Sequence, residues 1–68
     1  MNIRATLHLA SGSKIVTHED AEAVQDADEW LETVQEEMKR PAWHVIGNVL
    51  FFSQAISAIE AENYPDRR

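Results

Sequence analysis

A serine three residues before a lysine, Ser11-Gly12-Ser13-Lys14, is the first spacing in this chain that could do chemistry. Serine acyl-transfer of that kind needs the hydroxyl at a helix start, the lysine one turn on and a deep cleft around both. Here the four residues join two short apolar runs, so they read as a turn. Three histidines, His8, His18 and His44, could hold zinc together with Glu19 or Asp20. No two of them show the i, i+4 spacing that puts two imidazoles on one helix face, and they read as surface or interface histidines. Carboxylates are the densest reactive groups. Nine lie between Glu19 and Glu37, and no Lys or Arg falls between Lys14 and Lys39. Acid–base catalysis by a carboxylate pair needs the two to face each other across a cleft with separated pKa values. Acids sharing one solvated helix face only repel. There is no cysteine and no glycine-rich phosphate loop, so neither a catalytic site nor a metal or other cofactor is expected, and the chain reads as non-enzymatic.

What remains is a surface that recognises. The chain has 68 residues and a formal net charge of −6. That charge opposes binding to phosphate backbones, which rests on Lys and Arg neutralising phosphates. It equally opposes attraction to anionic lipid. Direct nucleic-acid binding and membrane association are therefore not expected. Glu29, Glu32 and Glu36 line one face of a predicted helix and form a candidate docking surface for a basic protein partner, in the manner of an acidic inhibitor or nucleic-acid mimic. No run approaches the roughly 18 apolar residues of a membrane span. The N-terminal apolar stretch is broken by Thr6 and His8, unlike a secretory signal. A cytoplasmic location is the expectation. The size is that of small accessory proteins of phages, plasmids or bacterial operons.

The elements that position these residues follow from periodicity. Ile3, Ala5, Leu7 and Leu9 alternate with Arg4, Thr6, His8 and Ala10, which predicts a half-buried strand over residues 3–10. Gly12 marks a turn, and a short second strand over 14–17 closes a hairpin whose register stays open, because a one-residue slip reverses which of Ile15 and Val16 points inward. Val24, Ala27, Leu31, Val34 and Met38 step by three and four, with Trp30 on the flank, predicting a helix over 20–39 capped by Thr17 or Asp20. Lys39 and Arg40 suit its C-terminal end and Pro41 stops it. Trp43-His44-Val45-Ile46 and Val49-Leu50-Phe51-Phe52 flank Gly47-Asn48, a two-residue hairpin turn. A corner at Ser53-Gln54-Ala55 and a fifth strand over 56–61 complete the domain. The steps from Val49 to Ile59 also fit a helix, but the β-branched and aromatic run at 49–52 favours the strand.

Two segments, Leu7-His8-Leu9-Ala10-Ser11-Gly12-Ser13-Lys14-Ile15 and Leu50-Phe51-Phe52-Ser53-Gln54-Ala55-Ile56-Ser57-Ala58-Ile59, resemble the two signature pieces of the Sm-like RNA-binding family. The resemblance implies a small antiparallel barrel, with a short corner before the last strand, and a divergent RNA binder as a further functional reading. The sequence departs from that pattern in placing its long helix between the two pieces. Ser53-Gln54 also stands where such proteins carry the Lys-His pair directed at RNA.

The expected architecture is α+β: a small antiparallel sheet built from a β-hairpin, one long helix, a second β-hairpin and a fifth strand, with the single helix packed on one face. Residues 1–63 would form one compact domain and 64–68 a flexible tail. If Trp43, Val45, Leu50 and Phe52 meet the helix, then His44, Ile46, Val49 and Phe51 project from the opposite face. A contiguous apolar patch is unusual on a small monomer. Self-association into a homodimer through those four residues is the resulting expectation, unless the C-terminal segment folds over them.

Overall fold

The computed structural model describes residues 2–22 and 24–64, which form five strands and one helix. The order is β1 (Asn2–Leu9), β2 (Lys14–Asp20), α1 (Ala27–Glu37), β3 (Trp43–Ile46), β4 (Val49–Phe52), a single 3-10 turn (Ser53–Ala55) and β5 (Ile56–Asn63). The class is α+β as the patterning implies, but the strands form two antiparallel sheets rather than one: β2-β1-β5 and a β3–β4 ribbon.

β1 is central, and its period-2 pattern explains why. Ile3, Ala5 and Leu7 point to one side and are fully buried. Arg4, Thr6 and His8 point to the other, which no helix or strand among the described residues covers. The register Leu7↔Ile15 and Ala5↔Thr17 settles the first hairpin: Ile15 and Thr17 lie on the inner side and Val16 on the outer. β5 runs antiparallel along the opposite edge of β1, with one extra residue at Ser57 between the pairs His8↔Ala58 and Leu9↔Ile56. The Ser57 hydroxyl donates to the His8 carbonyl at 3.1 Å, holding this bulge. Beyond β5, the Tyr64 N–H donates to the Asn2 carbonyl at 2.9 Å, while residues 65–68 of the expected tail lie outside the described residues.

The helix is shorter than its apolar stripe suggests. Residues 18–20 continue β2, because β1 begins early enough to pair Asn2 with Asp20. The chain then turns, and Asp26 rather than Thr17 or Asp20 caps α1, its carboxylate accepting the Glu29 N–H at 2.9 Å. The Asn63 side-chain oxygen accepts the Ala27 N–H at 2.8 Å, so the end of β5 satisfies a second first-turn donor. Ala27, Trp30 and Val34 are buried against Ile3, Ala5, Leu7, Ile46 and Phe51, with Val24, Leu31 and Met38 at the margin.

The ribbon has the expected register, Trp43↔Phe52 through Ile46↔Val49. Its faces are the reverse of those expected. Ile46 and Phe51 are 3% and 7% exposed and belong to the core, whereas Trp43, Val45 and Leu50 are 67%, 62% and 65% exposed. Turn chemistry supplies the physical reason. Gly47 adopts φ +59 while Asn48 keeps a negative φ, as a type II′ turn requires. The turn sits directly on β2. A Cβ on Gly47 would lie 2.3 Å from the His18 carbonyl oxygen and 2.3 Å from Thr17 Oγ1. The Thr17 hydroxyl donates to the Asn48 side-chain oxygen at 3.0 Å. The Gly47 N–H donates to Glu19 Oε1 at 3.0 Å. Docked in this way, the ribbon can present only one side to the core, and that side carries Ile46 and Phe51.

Candidate functional site

Each strand of the ribbon alternates, so the side chains at positions 43 and 45 of β3 and 50 and 52 of β4 share its outer side. Trp43, Val45 and Leu50 are exposed there and Phe52 is half-buried. The Trp43 and Phe52 rings, directly opposite in the ladder, pack edge to face with centroids 5.4 Å apart. Cross-strand packing of this kind holds both rings in place. No charged side chain occurs within either strand of the ribbon. The result is an uncharged apolar surface raised on a rigid two-stranded support.

Two anchors hold that support. Ser53, buried in the 3-10 turn, accepts the Ala42 N–H at 3.1 Å and donates to the Arg40 carbonyl at 3.0 Å through one hydroxyl. Its own N–H donates to the Ala42 carbonyl at 2.9 Å. The chain entering β3 is thereby tied to the chain leaving β4. The second anchor is Glu19 at the ribbon tip, whose carboxylate binds the Gly47 N–H through one oxygen and the indole Nε1–H of Trp30 through the other, at 3.1 Å. Strand β2, helix α1 and the ribbon turn thus meet at a single side chain.

The residues expected to self-associate lie on the other side. Ile46 and Phe51 are core, Val49 packs against it half-buried, and His44 is half-buried with its ring 5.9 Å from that of Phe51. The buried Nε2 of His44 has no hydrogen-bond partner among the described residues. Since the core already claims Ile46 and Phe51, these four residues cannot form a surface for a second copy. The sequence showed both faces of the ribbon to be apolar but held no signal for which of them the core would take.

Glu29, Glu32 and Glu36 are all exposed on α1, as expected of a solvated face. Glu36 pairs with Lys39 at 3.0 Å, both side chains being well solvated. Two of the nine acids between Glu19 and Glu37 have other tasks: Glu19 lies on β2 and turns inward, and Asp26, expected within the helix, is its cap. Ser11 and Ser13 are exposed on the first hairpin turn, and Lys14 is exposed at the start of β2. His8 lies 3.5 Å from Glu60, and the His18 ring stacks at 4.5 Å on Tyr64, which also lies under the Arg4 guanidinium. His44 is on the ribbon, so the three histidines do not converge. Among the described residues no group of three His, Asp or Glu side chains is placed to hold a metal ion. Ser53-Gln54 offers RNA neither a cation nor a ring, and the Ser53 hydroxyl is already committed to the chain at Arg40 and Ala42. No helix among the described residues is long and apolar enough to cross a membrane. Comparison with protein-family models, with curated proteins and with solved structures finds no match.

Proposed function

We propose that the protein is a non-enzymatic interaction module that self-associates as a homodimer through the outer face of the β3–β4 ribbon. The observation that carries this reading is the inversion of the ribbon. Three large apolar side chains, each about two-thirds exposed, stand together on a support that is fixed at both ends. Exposed apolar surface of this kind on a small domain marks an interaction site.

Charge permits a second copy as the occupant. Two chains of net charge −6 repel overall, and the repulsion is least where the facing surfaces carry no carboxylates, as on the ribbon's outer face. A two-fold axis through this face would bury the same patch on both protomers. Removing each of the exposed side chains from water contributes about 1–2 kcal/mol. Against the cost of association, itself at least about 4 kcal/mol, six such side chains support a dissociation constant on the order of 1–100 µM when each contributes near the top of that range and the cost stays near its lower bound.

Trp43 provides the test. Trp30 is buried in the core, so a change in indole environment on association belongs to Trp43. Emission of the wild-type chain is expected to shift to shorter wavelength as concentration rises through the micromolar range. Trp43→Phe, which keeps an apolar ring at the patch, is expected to remove the shift. An emission maximum independent of concentration up to 500 µM refutes the reading.

A further inference from the structure

A second surface is open in a different way. β5 pairs with β1 alone, and among the described residues its other edge has no backbone partner. The opposite edge of the same sheet, on β2, is crossed at its end by the ribbon turn. β5 has no proline and no lysine, and its edge is marked instead by the bulge at Ser57 and by the charged residues Glu60 and Glu62. Beside it runs a shallow groove of about 220 Å³, lined by Gln35 of α1, by Met38 and Lys39 just beyond the end of that helix, and by the consecutive residues Ile56, Ser57, Ala58 and Ile59 of β5. We infer that this edge is a docking site for an extended peptide that adds a strand to β5 and carries basic residues alternating with apolar ones.

Unpaired strand backbone selects an extended chain, because only an extended chain presents N–H and C=O groups at the matching interval. The side-chain pattern follows from the rows across the sheet. On the uncovered face these read His18–Arg4–Glu62 and Val16–Thr6–Glu60, so each of two rows ends on a carboxylate at the open edge. Arg4 binds Glu62 and His8 lies against Glu60, which leaves both carboxylates flanked by a base on the inner side only. A basic residue on an added strand would flank each from the other side, two residues apart. The intervening residues would point to the groove side, toward Ile56, Ile59 and Met38, and must be apolar. Lys39, at the α1 end of the groove, is already paired with Glu36.

Titration of the full chain with the blocked heptapeptide acetyl-Val-Lys-Val-Lys-Val-Lys-Val-amide, followed by backbone NMR, tests this. Shift changes and slowed amide exchange are expected at residues 56–63, with lesser changes at Gln35 and Met38. The same peptide with Glu for Lys should bind at least tenfold more weakly. Methylating alternate amide nitrogens of the Lys peptide should abolish binding in one of the two frames and spare it in the other, since only one frame faces the edge. Trp43→Lys/Leu50→Lys, which removes the proposed dimer surface, should retain peptide binding, so the two proposals can fail separately. Shifts confined to Glu29, Glu32 and Glu36, equal binding of the Glu peptide, or insensitivity to both methylation frames overturns the inference. Concentration-dependent protection of β5 without peptide also overturns it, assigning the edge to a second copy instead.

Discussion

The two oxygens of Glu19 divide their work between Trp30, whose Nε1–H donates at 3.1 Å, and the Gly47 N–H, which donates at 3.0 Å. A carboxylate accepting two such bonds outperforms a neutral acceptor. Its removal would leave an indole N–H and a turn amide in partly buried surroundings without a partner. Glu19→Ala is expected to cost about 2–4 kcal/mol in urea unfolding. Glu19→Gln, which can accept one of the bonds but not both, should cost less. A loss below about 0.5 kcal/mol for the alanine variant would show that the carboxylate does not tie these elements together.

The two glycines separate conformation from space. Both take positive φ, but a Cβ at Gly12 meets nothing within 4 Å, whereas one at Gly47 meets the backbone and side chain of β2. Gly12→Ala should therefore cost only the left-handed conformation, about 1–2 kcal/mol. Gly47→Ala must in addition lift the turn from β2, and is expected to exceed the first variant by at least about 1 kcal/mol. Equal losses in thermal or denaturant unfolding would contradict the docking of the ribbon tip.

Neutralising the acidic face should leave fold and self-association intact. In Glu29→Gln/Glu32→Gln/Glu36→Gln the repulsion between Glu32 and Glu36 disappears, as does the solvated Glu36–Lys39 pair. Each is worth a few tenths of a kcal/mol. The net change in stability is expected within about 0.5 kcal/mol. The dimer dissociation constant should stay within threefold at physiological salt, where screening is strong. A tenfold change would place the acids at the dimer surface.

Much of this fold is legible in residue order. The alternation from Ile3 to Leu9 specifies β1, and Gly47-Asn48 between two apolar runs specifies the ribbon and its register. The segment after Ser53-Gln54-Ala55 was less determined, since the steps from Val49 to Ile59 fit a helix as well, and the structure makes it the strand β5 that the run at 49–52 favoured. The start of α1 was obscured because Glu, Ala and Gln in 20–26 are good helix formers. Of these residues only Asp20 is held by β2, paired with Asn2, and the helix begins only after the Asp26 cap. Asp26 followed by Glu29, an acceptor and an acid three residues on, is the local pattern that marks the true start. The candidate site was less legible. Both faces of the ribbon are apolar, and nothing within residues 43–52 ranks one above the other. The decision comes from contacts between residues far apart in the chain, Glu19 with Gly47 and Thr17 with Asn48. Such contacts leave no periodicity. Trp43 is also the larger residue, which size alone would send inward, but Trp30 already fills that place.

Association through the outer face of the ribbon is the central claim, and sedimentation velocity between 1 and 500 µM tests it most directly. The wild-type chain should pass from monomer to dimer in the micromolar range. Trp43→Lys/Leu50→Lys should stay monomeric across it while unfolding, at protein concentrations below the dimer's dissociation constant, at a denaturant midpoint close to the wild type's, since neither side chain is core. Phe51→Lys serves as the contrast, because a charge at a core position should destabilise the fold by at least about 3 kcal/mol. A wild-type chain that remains monomeric at 500 µM, or a folded double variant that dimerises as the wild type does, would contradict the account.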